Sequence, residues 1–235
     1  MITLRKSADR GHTDLGWLNS YHTFSFGAYH DPRHMGFRAL RVLNDDRVAA
    51  GKGFGAHGHR DMEIISYVME GRLAHQDSLG APREIGPNEV QAMSAGSGVI
   101  HSEFNASATE PTHFLQIWIV PDREDIEPSY QQFAYPPSEK HNVLRLMAGP
   151  ETKNGAAARI HQDARMYAAV LDRNKDITYD IPPGRHVWLH CVSGHMLVNG
   201  MPLEEGDGIA VSDESAIALR GAGENGAELV LFDLA

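Results

Sequence analysis

The sequence is poor in the features that mark disulfide-bonded, nucleic-acid-binding and membrane proteins. It has one cysteine in 235 residues, so no disulfide can form within the chain, and a reducing compartment is expected. Lys and Arg number 21 against 31 Asp and Glu, and no basic cluster offers a surface for phosphate groups. No apolar run approaches membrane-spanning length. We therefore expect a soluble, cytoplasmic protein that binds neither nucleic acid nor membrane.

Two regions carry no functional signal. Cys191 lies in the apolar run of residues 187–192 with no basic cluster beside it, so its thiol is expected to be a buried packing group rather than a reactive one. Residues 1–10 hold three basic side chains but lack the apolar stretch of a signal peptide. Neither thiol chemistry nor secretion is predicted from these regions.

Helical periodicity is scarce, and short runs of β-branched and aromatic residues between Gly, Pro, Asn and Asp take its place. This pattern is typical of antiparallel sandwiches and barrels. The first group of strands is predicted at residues 37–43, 63–69, 73–76, 90–93 and 114–120. The second group is predicted at residues 143–147, 166–171, 186–192, 195–198, 208–211, 216–219 and 229–234.

A change in composition separates the two groups of strands. Residues 131–142 contain a Gln pair and a Pro pair, which suit a connector with at most a short helix. We therefore predict an amino-terminal barrel over residues 1–130, a linker over 131–142 and a carboxy-terminal barrel over 143–235. Glycine turns recur at similar places in both halves, which favours a duplicated barrel, although hairpin glycines occur in any β protein of this size.

Two pairs of metal-binding side chains have i, i+2 spacing. His57 and His59 leave an extended chain on the same face, and His101 and Glu103 repeat the spacing after the Gly-rich segment 95–98. The spacing alone is weak evidence, because 14 histidines in 235 residues give about 0.8 His-x-His pairs by chance. Two such pairs on facing strands would bind one first-row metal ion and leave coordination positions open, as a catalytic site requires.

The residues around these pairs resemble the two cupin motifs. The segment GKGFGAHGH at residues 51–59, with Glu63 and Gly71, is similar to the first motif, and GSGVIH at 96–101, with Asn105, is similar to the second. Within the cupins the chain resembles the pirin family. The segments that carry this resemblance are SYHTFSF at 20–26, DP at 31–32, GF at 36–37, RVLNDD at 41–46 and MSAGSGVIHSE at 93–103.

The pirin resemblance covers essentially the whole chain and implies an all-β bicupin, with two tandem barrels of the jelly-roll type. It implies one divalent metal ion in the first barrel, with iron(II) as the expected metal. The residues at the matching ligand positions are His57, His59, His101 and Glu103. Zinc, cobalt, manganese, nickel and copper also accept such a mixed nitrogen and oxygen set.

The identity of the carboxylate ligand is open at this stage. Many other cupins use the Glu four residues after the second histidine, here Glu63, whereas the resemblance to pirins favours Glu103. Glu63 shares the strand parity of His59, so we predict it beside the ion, where it orients a ligand imidazole or handles a proton. The alternative for Glu63 is a solvated or salt-bridged strand end.

The carboxy-terminal barrel is predicted to lack the metal site. Aligning Gly194 on Gly71 places Asp180 and Pro182 where the first barrel has its histidine pair. His22, Phe24 and Phe26 in the pirin-like stretch either line the barrel mouth or pack as strand residues. The histidines expected to pack or to make local hydrogen bonds are His12, His22, His30, His34, His75, His113, His141, His161, His186, His190 and His195.

The resemblance implies a quercetinase-like dioxygenase, which opens the heterocycle of a flavonol with O₂ and releases carbon monoxide. A metal with open positions can bind a deprotonated hydroxyl and hold the ring beside O₂ in a dry apolar barrel. Glu103 is expected to assist that deprotonation, and Ile65, Tyr67 and Met93 are expected to line the pocket. The expected partners are a small aromatic molecule and O₂, and the resemblance favours a monomer.

A non-enzymatic role is the competing interpretation. Eukaryotic pirins, which this chain resembles, act as nuclear cofactors of transcription whose metal redox state alters partner binding. Such a role predicts a charged or apolar partner surface that changes with the metal, whereas an enzyme predicts turnover that disappears with the ligands. A metal-dependent cupin isomerase or hydrolase, which needs no O₂, is a third possibility.

Overall fold

The chain folds almost entirely into β-strands, and the computed structural model describes residues 1–151 and 157–235. Two short 3₁₀ helices span Ser7–Asp9 and Pro137–Glu139. Among the described residues, no helix is long and apolar enough to cross a membrane. The strands are β1 (Ile2–Arg5), β2 (Gly11–Asp14), β3 (Leu18–His22), β4 (Leu40–Val48), β5 (Gly53–His59), β6 (Glu63–Glu70), β7 (Leu73–Asp77), β8 (Arg83–Ile85), β9 (Glu89–Ser94), β10 (Val99–Asn105), β11 (Thr112–Ile119), β12 (Ser129–Ala134), β13 (Arg145–Gly149), β14 (Ala158–Arg159), β15 (Ala164–Leu171), β16 (Asp176–Asp180), β17 (His186–Val198), β18 (Met201–Glu204), β19 (Gly208–Val211), β20 (Ala216–Gly221) and β21 (Ala227–Leu234).

Contacts within the chain divide it into two units. We name the unit of Gly11–Ala134 and Pro150–Gln162 the first barrel. The unit of Met1–Arg10, Tyr135–Gly149 and Asp163–Ala235 is the second barrel.

This division differs from the boundaries expected from the sequence. The first ten residues belong to the second barrel, because β1 pairs antiparallel with β19, with Ile2 opposite Val211. The start of the expected linker is a strand, since β12 pairs with β9 of the first barrel. Both features depend on partners far away in the sequence, which local composition does not report.

Two sheets build the first barrel. One has seven strands in the order β12-β9-β6-β11-β4-β3-β2, and the other has four in the order β5-β10-β7-β8. The strand β6 is buried over six consecutive residues, as its run of apolar side chains predicts. The edge strand β5 lies very close to β10. A Cβ at position 53 would overlap the backbone of Glu103 and Phe104, so this close approach requires Gly53.

The second barrel is organised around β17. Its 13 residues join the two strands expected at 186–192 and 195–198, and the pairing with β21 shifts register between Cys191 and Ser193. The first part of β17 pairs with β19, and the last part pairs with β18 and β20. Cys191 is buried in the core cluster of this barrel, and burial raises its pKa to about 12, which confirms the expected packing role.

Candidate metal centre and its cavity

Three histidines of the first barrel turn their imidazole rings toward one another. His57 and His59 lie on β5, and His101 lies on β10 directly opposite His57. The ring centroid of His57 is 4.8 Å from that of His59 and 4.4 Å from that of His101, and the centroids of His59 and His101 are 4.8 Å apart. The i, i+2 spacing thus places both β5 side chains on one face, and the paired strand supplies the third ring.

Hydrogen bonding and burial leave these rings ready to bind a cation. The Nδ1 of His57 donates to the carbonyl oxygen of Gly55 at 2.8 Å, so the lone pair of the neutral ring is on Nε2, which lies 3.0 Å from Nε2 of His101. Burial and the neighbouring imidazoles lower the pKa of His59 to about 4 and that of His101 to about 3. His59 and His101 are therefore neutral at pH 7, the state that binds a metal ion.

The donor set of these three side chains fits a divalent metal ion. Their ligating atoms all lie within 4.8 Å of one another, and three imidazole nitrogens are a donor set that first-row metal ions accept. A cation placed between the rings would be bound by one nitrogen lone pair from each imidazole. The geometry and the electrostatics therefore point to the same occupant.

Glu103 follows His101 on β10 beyond a register shift and is 1% exposed. Its Oε2 accepts a hydrogen bond from Nε2 of Gln116 at 2.7 Å. Its Oε1 accepts from Nε2 of Gln91 at 3.1 Å and from the hydroxyl of Ser66 at 3.2 Å. Burial raises the pKa of Glu103, and the hydrogen bonds partly offset this effect. The carboxylate is thus held in one orientation at the cavity wall.

The four ligands expected from the sequence do not fall into one group of converging atoms. His57, His59 and His101 form one group, and Glu103 forms another with His101 and His75. Glu103 does line the same cavity as His57 and His59. The assignment of Glu103 as the fourth ligand therefore stays a prediction.

Glu63, the other candidate carboxylate, makes different contacts. Its Oε2 accepts a hydrogen bond from the Ser94 hydroxyl at 2.8 Å, and its Oε1 lies 3.2 Å from Nδ1 of His161. In the part of the chain that the structure describes, no hydrogen bond joins Glu63 to the three converging imidazoles. These contacts fit the salt-bridged alternative, and a role of Glu63 beside the metal stays a prediction.

A hydrogen-bonded pair behind Glu103 was not singled out by the sequence. His75 on β7 lies opposite Glu103, and its Nε2 donates to Oδ2 of Asp77 at 2.8 Å. The Nδ1 of His75 accepts from Nε2 of Gln91 at 3.3 Å, and the same amide nitrogen donates to Glu103. The available signal was the His-x-Asp spacing, which places both side chains on one strand face.

The imidazoles open onto a cavity lined by residues of both sheets. The space at this site, with the open mouth included, is about 670 Å³. The Trp118 ring stands edge-on to His59 with centroids 4.9 Å apart, and Phe26 stands edge-on to Trp118 at 5.4 Å. The lining residues are Thr13, Leu18, Ser20, His22, Phe26, Gly27, Ala28, Asn44, Asp46, Phe54, His57, His59, Glu103, Gln116 and Trp118.

The cavity walls differ from those expected. Ile65, Tyr67 and Met93 are 0% exposed in the packed interior and are not among the lining residues. His22 and Phe26 do line the cavity, so part of the pirin-like stretch contributes to its wall. Alternation along a strand shows which of its residues share a face, but the sequence does not show which of the two faces meets the cavity.

Asp46 adds a second carboxyl group to the cavity wall. It is 3% exposed and accepts a hydrogen bond from the hydroxyl of Ser20. Burial raises the pKa of Asp46 to about 7, the hydrogen bond from Ser20 lowers it, and the nearby charges of Asp45 and Glu103 raise it further. Asp46 was not among the site residues expected from the sequence.

Comparison with known proteins covers both barrels. The family described as Pirin matches residues 3–119, and the family described as Quercetinase C-terminal cupin domain matches residues 146–234. Quercetin 2,3-dioxygenase of Escherichia coli (strain K12) is 44% identical over 234 residues, which are 100% of this chain and 99% of the relative. A Pirin-like protein of Caulobacter vibrioides is 39% identical over 232 residues, which are 98% of this chain and 99% of the relative.

A solved structure matches equally well. The bacterial pirin YhhW from Escherichia coli, in complex with nickel(II), has a TM-score of 0.93 at 44% identity, covering 100% of this chain and 99% of that one. The agreement extends over both barrels and confirms the bicupin fold expected from the sequence.

Proposed function

The chain belongs to the pirin family, and on that premise we propose that its first barrel is a metal-dependent dioxygenase. The substrate is a flavonol such as quercetin, which is cleaved with O₂ and releases carbon monoxide. The observation that carries this proposal is the convergence of three imidazoles beside a buried carboxylate, at the wall of a cavity with aromatic sides. A relative of the same length bears the name quercetin 2,3-dioxygenase.

In this proposal His57, His59 and His101 hold the metal ion, and Glu103 is the fourth ligand. A bound divalent ion supplies Lewis acidity toward a substrate hydroxyl and, in the case of iron, electrons for O₂ chemistry. We propose iron(II), which the family resemblance implies. Three nitrogens and one carboxylate oxygen also accept nickel(II), the ion in the structure of the relative YhhW.

Glu103 accepts the proton of the flavonol 3-hydroxyl in the proposed reaction. Its carboxylate lines the cavity together with His57 and His59, where it can accept a proton from a ligand hydroxyl. Hydrogen bonds from Gln116, Gln91 and Ser66 fix the carboxylate before the substrate arrives. Fixed orientation of this kind lowers the entropic cost of reaching the reactive geometry.

The aromatic wall positions a flat ring and excludes water. Trp118 and Phe26 stand edge-on to each other at one side of the cavity, and Phe54 stands edge-on to Trp17 with ring centroids 5.4 Å apart. Apolar faces of this kind favour an aromatic ligand over water. A dry cavity also protects a reactive oxygenated ring from side reactions with solvent.

The proposal is tested by loading the purified protein anaerobically with iron(II) and then adding quercetin and O₂. We expect O₂ uptake, loss of the flavonol absorbance and carbon monoxide release by the wild type. We expect none of these in His57→Ala or Glu103→Ala, whereas His195→Ala, which removes an exposed histidine of the second barrel, should remain active. Stoichiometric iron binding without turnover would contradict the flavonol reaction and leave the metal site intact.

A second candidate function is a metal- or redox-sensing regulatory protein without enzymatic activity. The observation that favours it is on β10, where Ile100 is 59% exposed and Phe104 is 41% exposed. Both lie on the outward face of the strand whose inward face carries His101 and Glu103. This candidate predicts that a change of metal redox state alters hydrogen exchange on β10. Equal exchange in the iron(II) and iron(III) forms would contradict it.

A further inference from the structure

The cavity wall formed by β2, β3 and β4 carries polar side chains that the metal site does not use. The Nδ1 of His22 donates to Oδ1 of Asn44 at 2.9 Å. The Nε2 of His22 then accepts from the hydroxyl of Thr13, 2.9 Å away. The Ser20 hydroxyl donates to Oδ1 of Asp46. The protein thus engages both nitrogens of His22, and the carboxylate of Asp46 is the acceptor with capacity left.

Asp46 has few partners that offset the free-energy cost of burying its carboxyl group. Within residues 1–151 and 157–235 its hydrogen-bond partner is Ser20, and no Lys or Arg forms an ion pair with it. Its neighbour Asp45, which points to the other face of β4, pairs instead with Arg47 and His113. Burying a carboxylate without a cation costs stability unless other donors satisfy it. The first barrel therefore keeps an acceptor at the cavity wall that its own donors only partly satisfy.

Resting on the proposed function, we propose that Asp46, which lies on a different sheet from the three histidines, binds a substrate hydroxyl group other than the one that meets the metal. A phenolic hydroxyl and a carboxylate form a short, charge-assisted hydrogen bond. Asp46 lies on the seven-stranded sheet, whereas the three histidines lie on the four-stranded sheet, so a flat ligand in the cavity meets both walls. The cavity thereby selects flat aromatic molecules with hydroxyl groups at both ends over molecules with a hydroxyl group at the metal end alone.

Two flavonols distinguish binding by Asp46 from binding at the metal site. Kaempferol carries the 3-hydroxyl and further hydroxyl groups on both ring systems, whereas 3-hydroxyflavone carries the 3-hydroxyl alone. The dissociation constants of both are measured without O₂ on nickel(II)-loaded protein, by quenching of tryptophan fluorescence at a pH above the Asp46 pKa of about 7, so that its carboxyl group is ionised. Binding is thus read without turnover, and the ratio of the two constants in one variant corrects for any loss of active protein.

The variants are Asp46→Asn, which keeps the shape but removes the charge, and Asp45→Asn as the matched control on the opposite face of β4. We expect Asp46→Asn to bind kaempferol tenfold or more weakly and to bind 3-hydroxyflavone within about twofold of the wild type. Asp45→Asn should keep the wild-type ratio. Asp46→Ser replaces Asp46→Asn if the latter does not fold.

Several outcomes would overturn the proposal. These are an equal loss of both flavonols in Asp46→Asn, an unchanged ratio in that variant, and a wild type that binds neither flavonol. The proposed dioxygenase can fail separately. If the iron-loaded wild type does not turn over quercetin but Asp46→Asn still loses the preference, recognition by Asp46 stands and the oxygenase reaction falls.

Discussion

The two barrels have similar strand patterns, but converging metal-binding side chains are found in the interior of the first. The core cluster of the second barrel consists mostly of aliphatic side chains, among which Leu189, Val211 and Leu231 are 0% exposed. In the first barrel the inward face of β10 carries His101 and Glu103, and both are buried. In the described part of the chain, the groups of three or more potential metal-binding side chains lie in the first barrel alone.

The difference shows that the same barrel architecture can hold either an aliphatic core or a cluster of polar side chains. Aliphatic side chains in a barrel interior stabilise the fold in proportion to the area they bury. Polar side chains there are tolerated when hydrogen bonds satisfy them, as the Gln116, Gln91 and Ser66 side chains do for Glu103. The candidate site of the first barrel therefore depends on buried polar side chains that are held by hydrogen bonds.

The largest expected effect comes from removing a proposed metal ligand in the first barrel. His57→Ala should lower the metal content from one ion per chain to none and reduce flavonol turnover on the order of a thousandfold or more. His195→Ala in the second barrel should change neither. Elemental analysis of the loaded proteins and O₂ uptake test this prediction. Full metal content in His57→Ala would place the ion elsewhere.

The next effect concerns the stability cost of a polar interior. Burial raises the pKa of Asp46 to about 7, whereas an unfolded aspartate titrates near about 3.9. Between these values the folded protein retains a proton that the unfolded chain has lost, so this group lowers stability as the pH rises. In metal-free protein, Asp46→Asn should gain stability relative to wild type between about pH 4 and about pH 7, by up to about 4 kcal/mol.

This pH dependence is measured by chemical denaturation of both metal-free proteins across that window. Asp45→Asn is the control, because Asp45 is paired with Arg47 and His113. A difference between Asp46→Asn and the wild type that does not change with pH would show that Asp46 is not a desolvated carboxyl group.

A substitution that creates a cavity in the second barrel tests how much its aliphatic core contributes to stability. Leu189→Ala removes a side chain that is 0% exposed in the core cluster and should lower the free energy of unfolding by about 3 kcal/mol. Val143→Ala, at a position that is 47% exposed, should change it by less than about 0.5 kcal/mol. The metal content of folded Leu189→Ala should equal that of the wild type. A loss of metal in this variant would mean that metal binding also depends on the core of the second barrel.

The smallest effect concerns the orientation of Glu103. Gln116→Leu removes the 2.7 Å hydrogen bond to Oε2 and should lower kcat for quercetin about tenfold with little change in metal content. Gln132→Leu is the matched control, because the Gln132 amide donates to the carbonyl oxygen of Glu84 and its residue is exposed. If Gln116→Leu retained wild-type kcat, the hydrogen bond would be structural only.

Much of the fold and the histidine set could be predicted because they depend on local patterns. The strand β6 was expected at residues 63–69 and spans Glu63–Glu70. The two histidines of β5 share a face because alternation along a strand has period two. The glycines before β10 also have a local cause, since Gly96 adopts a φ of +44° and a Cβ there would overlap the carbonyl oxygen of Ile126.

The remaining features depend on which strands pair and in which register. Asp45 and Asp46 are adjacent and chemically identical, and the register of β4 decides that Asp46 faces the cavity while Asp45 pairs with Arg47. His75 approaches Glu103 because β7 pairs with β10. The pairing of β1 with β19 joins residues about 200 positions apart. No local pattern encodes such partners.

The most direct test of the account is a crystal structure of the iron(II)- or nickel(II)-loaded protein with anomalous data at the metal absorption edge. The account predicts one peak in each chain, within bonding distance of His57, His59 and His101, and no peak in the second barrel. A peak bound by other residues, or no peak in protein shown to contain one metal ion per chain, would contradict it.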